Sequence, residues 1–111
     1  MSPVGRRLAD ILEKGALDSS AVARIVRASP RTVSRWANDE TEPRWEYRER
    51  LLELFAVVER LQKVIEPAAC HDWLFTPNPA LDFAKPVELL REGNFRKVLG
   101  VIDSLGEGVF S

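Results

Sequence analysis

The stretch Asp18-Ser19-Ser20-Ala21-Val22-Ala23-Arg24-Ile25-Val26-Arg27-Ala28-Ser29-Pro30-Arg31-Thr32-Val33-Ser34-Arg35-Trp36 decides the fold. Val22, Ile25 and Val26 form an i, i+3, i+4 stripe behind the caps Asp18 and Ser19, which predicts a short helix. Ser29 caps a following helix whose first residue is Pro30, a position where the missing N–H is harmless. Val33 and Trp36 supply its inward face and leave Arg31, Thr32, Ser34 and Arg35 outward. Only Arg27-Ala28-Ser29 separates the two helices. Between Ser19 and Asn38 the only charges are Arg24, Arg27, Arg31 and Arg35, a basic island ended by Asp39, Glu40 and Glu42. On charge alone such an island reads first as a solvated helix face rather than a nucleic-acid site.

Upstream, Leu8, Ile11 and Leu12 predict a first helix from about Val4 that stops at Gly15. Downstream of Pro43, the residues Tyr47, Leu51, Leu54, Val58, Leu61 and Ile65 recur in steps of four and three, and Leu52 with Phe55 adds a second stripe. That long helix, ended by Pro67, is either the spine of the domain or a dimer seam. A short helix is expected from Pro67 to Phe75, carrying Trp73 as a core residue, and Thr76-Pro77-Asn78-Pro79 breaks the chain. Lys85 to Gly93 reads as a helix with proline at its start and glycine at its end. Asn94 caps a last helix with Phe95, Val98, Leu99, Ile102 and Leu105 buried, after which Gly106 and Gly108 release Val109-Phe110-Ser111. No strand pattern or repeat is present, so the expected class is all-α.

The 111 residues are 45% apolar and 30% charged, the balance of one folded globular domain. Sixteen basic against seventeen acidic side chains give a net charge of −1, so any nucleic-acid site must be local. A single cysteine, Cys70, and a single histidine, His71, fall short of a zinc set and point to a reducing, cytoplasmic setting. As neighbours on a helix they point about 100° apart and cannot act as nucleophile and base. With no metal, phosphate-loop or nucleophile motif, no enzyme activity and no cofactor are expected. Neither an export signal nor a run long enough to span a membrane is apparent.

Two short helices joined by a tight link, the second exposing arginine, threonine and serine, have the spacing of a DNA-binding helix-turn-helix. Arginine bridges guanine O6 and N7, and the hydroxyls take base edges or phosphates, so the candidate DNA contacts are Ser29, Arg31, Thr32, Ser34 and Arg35. Ala23, Ser29, Thr32, Val33, Arg35 and Trp36 resemble the A…S..TV.RW string of bacterial helix-turn-helix proteins, including Xre-type repressors. Two positions depart from that pattern: Arg27 stands where a glycine is usual, and Asn38-Asp39 follows the tryptophan in place of another. If Arg27 strains the turn, the module survives as a scaffold that has lost DNA recognition.

Trp73 to Leu81, then Lys85 to Gly93, then Val98 to Ile102, resemble the toxin-binding domain of Xre/MbcA/ParS-type antitoxins, and the likeness is strongest to the MbcA branch, with its Gly-Val-Phe tail at Gly108-Val109-Phe110. Phe83-Ala84 departs from it, since many relatives carry a glycine before the Lys-Pro pair. The resemblance implies a protein partner, a RES-domain toxin that destroys NAD by hydrolysis or phosphorolysis. It also raises Lys85, Pro86, Arg91 and Gly93 as toxin-facing residues. The tail suits an inhibitory role: glycines let it leave the helix, Phe110 is an apolar anchor, and Glu107 and the carboxylate of Ser111 suit the arginines of an NAD pocket. By itself the tail reads first as an ordinary frayed terminus.

The expectation is thus an all-α antitoxin with a helix-turn-helix over residues 1–45. Residues 46–111 hold the long helix, the toxin-binding domain and the tail Glu107, Gly108, Val109, Phe110 and Ser111. It should bind operator DNA as a homodimer within a larger toxin–antitoxin complex. The alternative is a stand-alone dimeric helix-turn-helix regulator.

Overall fold

The computed structural model describes residues 2–108, and every described element is helical. The order is α1 (Pro3–Lys14), α2 (Ser19–Val26), α3 (Pro30–Ala37), α4 (Trp45–Val64), α5 (Pro67–Phe75), a one-turn 3-10 helix (Pro79–Leu81), α6 (Pro86–Arg91) and α7 (Phe95–Gly108). Local chemistry sets most of the boundaries. Proline opens α1, α3, α5, the 3-10 turn and α6, where its fixed φ is already helical. The Ser2, Asp18 and Ser29 side chains accept from the N–H groups of Gly5, Ala21 and Thr32, satisfying donors that the first turn leaves free.

Three helix stops share one geometry. Arg27 (φ +67°), Asp39 (φ +61°) and Gly93 (φ +85°) are left-handed, and in each case the following N–H returns to a carbonyl five residues back: Ala28 to Ala23, Glu40 to Arg35 and Asn94 to Leu89. Arg27 therefore occupies a glycine conformation, at a cost of about 1 kcal/mol, and the turn keeps its closing hydrogen bonds nonetheless.

One apolar core runs through the described residues, with α4 at its centre packed against α1, α2, α5 and α7. Leu51, Leu54, Phe55, Val57, Val58 and Leu61 are all fully buried, each contributing about 1.5–3 kcal/mol of burial. The wide apolar arc of α4 is therefore the spine of this chain. The second stripe is corrected: Phe55 and Val57 fill it, whereas Leu52 is 41% exposed. Trp73 also departs from a simple core position. It is half-buried and lines an open hollow of about 430 Å3 with Ile65, Ala69 and Pro77.

The expected release of the chain at Gly106 is overturned, because α7 runs on to Gly108. A Cβ at Gly106 would lie 3.3 Å from Val64 Cγ1, so the missing side chain lets α7 lie close against α4. Arg60 of α4 and Asp103 of α7 pair at 3.0 Å along the same seam. Gly5 has a similar role in α1, where a Cβ would meet the Trp36 carbonyl oxygen at 2.9 Å.

Candidate functional site

Two surfaces concentrate the residues with binding chemistry. The first is α3. Val33, Trp36 and Ala37 are buried, and the Trp36 ring tilts against Tyr47 of α4 with centroids 5.4 Å apart. This pins the helix by its inner face. Ser29, Arg31 and Arg35 are exposed, and Thr32 and Ser34 are half-buried. Ser29 Oγ accepts from the Thr32 N–H at 3.1 Å and shares a hydrogen bond with Thr32 Oγ1 at 2.8 Å. Ser34 Oγ lies 3.4 Å from Ser19 Oγ on α2. The free cationic chemistry on this face is thus that of Arg31 and Arg35, flanked by the exposed Arg24 and Arg27.

The second surface surrounds α6. Lys85 and Arg91 are half-buried, Pro86 is buried in the first turn, and Gly93 is the left-handed stop. Arg91 shares a shallow hollow of about 250 Å3 with Asp18, Ser20, Arg24, His71 and Phe75, and its Nε is buried with no hydrogen-bond partner among the described residues. His71 stacks on Phe75 with centroids 4.5 Å apart. Its neighbour Cys70 is buried, with Sγ 3.6 Å from the Glu66 carbonyl oxygen, and burial pushes the thiol up. Glu107 is exposed in the last turn of α7. Gly108 is the last described residue, and Val109, Phe110 and Ser111 lie outside the described residues.

Sequence reasoning missed two arginines that join the helices beneath these surfaces. Arg50 of α4 donates from Nη1 to the Ile25 carbonyl at 3.0 Å, placing a cation at the C-terminal end of α2. Its Nη2 lies 3.4 Å from where a Cβ on Gly93 would stand. One guanidinium therefore links the end of α2 to the turn after α6, and Gly93 leaves it room. Arg7 of α1 grips Glu59 of α4 through two hydrogen bonds of 2.9 and 2.7 Å and lies 4.8 Å from the Phe55 ring centroid. The Glu59 hydrogen bonds raise the guanidinium's pKa against the lowering effect of partial burial. Both partners are 39% exposed, so this pair contributes at most about 1 kcal/mol. In the sequence Arg7 and Arg50 are each one charge among several on an amphipathic helix, which does not reveal a partner 25 or 52 positions away.

Arginine-bearing α3, pinned by its inner face, and the α6–α7 unit are parts of one small all-α protein. No protein-family model matches the chain. It is 38% identical over 99 residues to the mycobacterial cidal antitoxin MbcA of Mycobacterium tuberculosis H37Rv, covering 89% of this chain and 88% of that protein. The figures for MbcA of Mycobacterium bovis are the same. The fold matches a chain in the crystal structure of the M. tuberculosis MbcT–MbcA toxin–antitoxin complex with a TM-score of 0.85 and 34% identity, over the whole of both chains. The chain belongs to the MbcA family of antitoxins.

Proposed function

We propose that this chain is the antitoxin of a type II pair, which binds and neutralises a RES-domain toxin that degrades NAD. The observation that carries the reading is the whole-chain likeness to a chain of the MbcT–MbcA complex. Neutralisation is steric: Lys85, Pro86, Arg91 and Gly93 shape the docking face, and the segment Glu107-Gly108-Val109-Phe110-Ser111 covers the NAD pocket of the toxin. In support of this role, α7 packs against α4 and runs unbroken to Gly108, with Glu107 exposed in its last turn.

Residues 1–45 act as a helix-turn-helix that represses the operon, with Arg31 and Arg35 reading base edges and Ser29, Thr32 and Ser34 holding the helix start and the phosphates. Residues 46–111 form the toxin-binding part. Operator half-sites require a homodimer. The buried stripe of α4 is used within the chain, so the seam falls on its outward face, where Trp45 is 72% and Leu52 41% exposed. The protein works in the cytoplasm and needs no cofactor.

Co-expression with the RES-domain protein encoded beside it is expected to relieve that protein's growth inhibition and to yield one complex on size-exclusion chromatography. Two proteins that elute separately, with growth still arrested, would leave the stand-alone regulator as the working account.

A further inference from the structure

Four non-glycine residues among those described have positive φ: Arg27, Asp39, Asp82 and Phe83. Arg27 and Asp39 close helices, and Asp82 closes the 3-10 turn with a residue type that tolerates the left-handed region. Phe83 differs from all three. It follows directly at φ +66°, a conformation that a bulky side chain rarely adopts. Among the described residues its side chain has no packing that would offset this. The ring is 70% exposed, and it makes no aromatic or cation–π contact among the described residues.

The surrounding backbone over-determines the conformation. The Asn78 N–H donates to the Ala84 carbonyl at 3.0 Å, the Phe83 N–H to the Asn78 carbonyl at 2.9 Å, and the Ala84 N–H to the Leu81 carbonyl at 3.0 Å. Leu81 is buried at the base of the loop. Strain that persists in a locked, exposed position marks a functional contact more often than an accident. An exposed aromatic ring on a locked backbone has the character of an interface anchor, since the backbone is already ordered and only two side-chain torsions remain to be fixed on binding.

We propose that Phe83 is such an anchor, inserting into an apolar pocket of the toxin and making loop 78–84 a docking point separate from the C-terminal tail. The inference rests on the antitoxin reading above. Two features favour the toxin as occupant. The 3-10 turn packs on α7, the helix that leads to the tail, and Lys85 and Pro86 follow the ring directly. A second copy of the chain is the poorer fit. The other exposed large apolar residues, Trp45, Leu52 and Leu105, lie on α4 and α7, outside this loop, and the outward face of α4 already serves the proposed homodimer seam.

The test uses the full chain with Phe83→Gly and Phe83→Ala, each measured for toxin affinity by calorimetry, for self-association by sedimentation and for Tm. Both variants are expected to weaken toxin binding by about 30-fold. Only the glycine variant relieves the backbone, raising Tm by about 4 °C. Alanine keeps the strain and removes the ring, so it separates the anchor from the stiffness of the loop. Wild-type affinity in both variants would overturn the inference, and so would a loss confined to glycine. A change in self-association with toxin affinity intact would transfer the ring to a second copy and overturn it equally. Should the unsubstituted chain itself fail to bind the toxin, the antitoxin reading falls first and this one with it.

Discussion

Phe55→Ala is expected to destabilise the protein by about 3–5 kcal/mol, the range for emptying a buried phenylalanine site. The ring is fully buried in the middle of α4, the helix against which α1, α2, α5 and α7 pack. It also supports the Arg7 guanidinium at 4.8 Å, which links α1 to Glu59. A small domain has only about 5–15 kcal/mol in total, so the variant sits near the edge of folding. Urea denaturation should show a large fall in midpoint at nearly constant slope. Leu52→Ala, one helical turn away but 41% exposed, should cost less than about 1 kcal/mol. Equal losses at the two positions would mean that α4 does not present the face described.

The second large effect concerns α3. Replacing Arg31 and Arg35 together by alanine removes two candidate base contacts, each worth about 1–3 kcal/mol. Binding to promoter DNA should weaken by between about 30-fold and 20,000-fold. Both side chains are exposed, so the unfolding free energy should stay within about 0.5 kcal/mol of wild type. Fluorescence anisotropy on a labelled operator fragment, with a urea melt of the same sample, measures both. Unchanged DNA affinity would leave α3 as scaffold and the chain as a toxin-binding protein without a role on DNA.

The parts of this fold that were legible in the sequence are those written locally. Asp18 and Ser29 cap the helices that their positions suggest, Pro30, Pro67 and Pro86 open helices, and Gly15 and Gly93 close them. The same rules failed where a distant neighbour decides the outcome. Gly106 reads as a helix breaker, yet Val64 lies against it and the helix continues because that close approach needs no side chain. Leu52 fits an apolar period that the core does not use, since the packing of α1, α2, α5 and α7 selects Val57 instead.

Arg27 shows the opposite case. A missing glycine reads as a defect in the turn, but the return of the Ala28 N–H to the Ala23 carbonyl and the Arg50 contact to Ile25 hold the turn closed at a tolerable strain. Of the candidate site, the inner and outer faces of α3 were legible from periodicity. The conformation of Phe83 and the placement of Arg50 were not, because both depend on hydrogen bonds to backbone that the sequence does not mark.

The central claim is that the chain silences an NAD-degrading partner through its last residues. The most direct measurement is NAD consumption by the purified complex, made with the full chain and with a chain ending at Gly108, which leaves the whole of α7 in place. The account predicts a silent complex with the full chain, and a complex that still forms but consumes NAD when Val109, Phe110 and Ser111 are removed. Full inhibition by the shortened chain would contradict it and place the block elsewhere on the docking face.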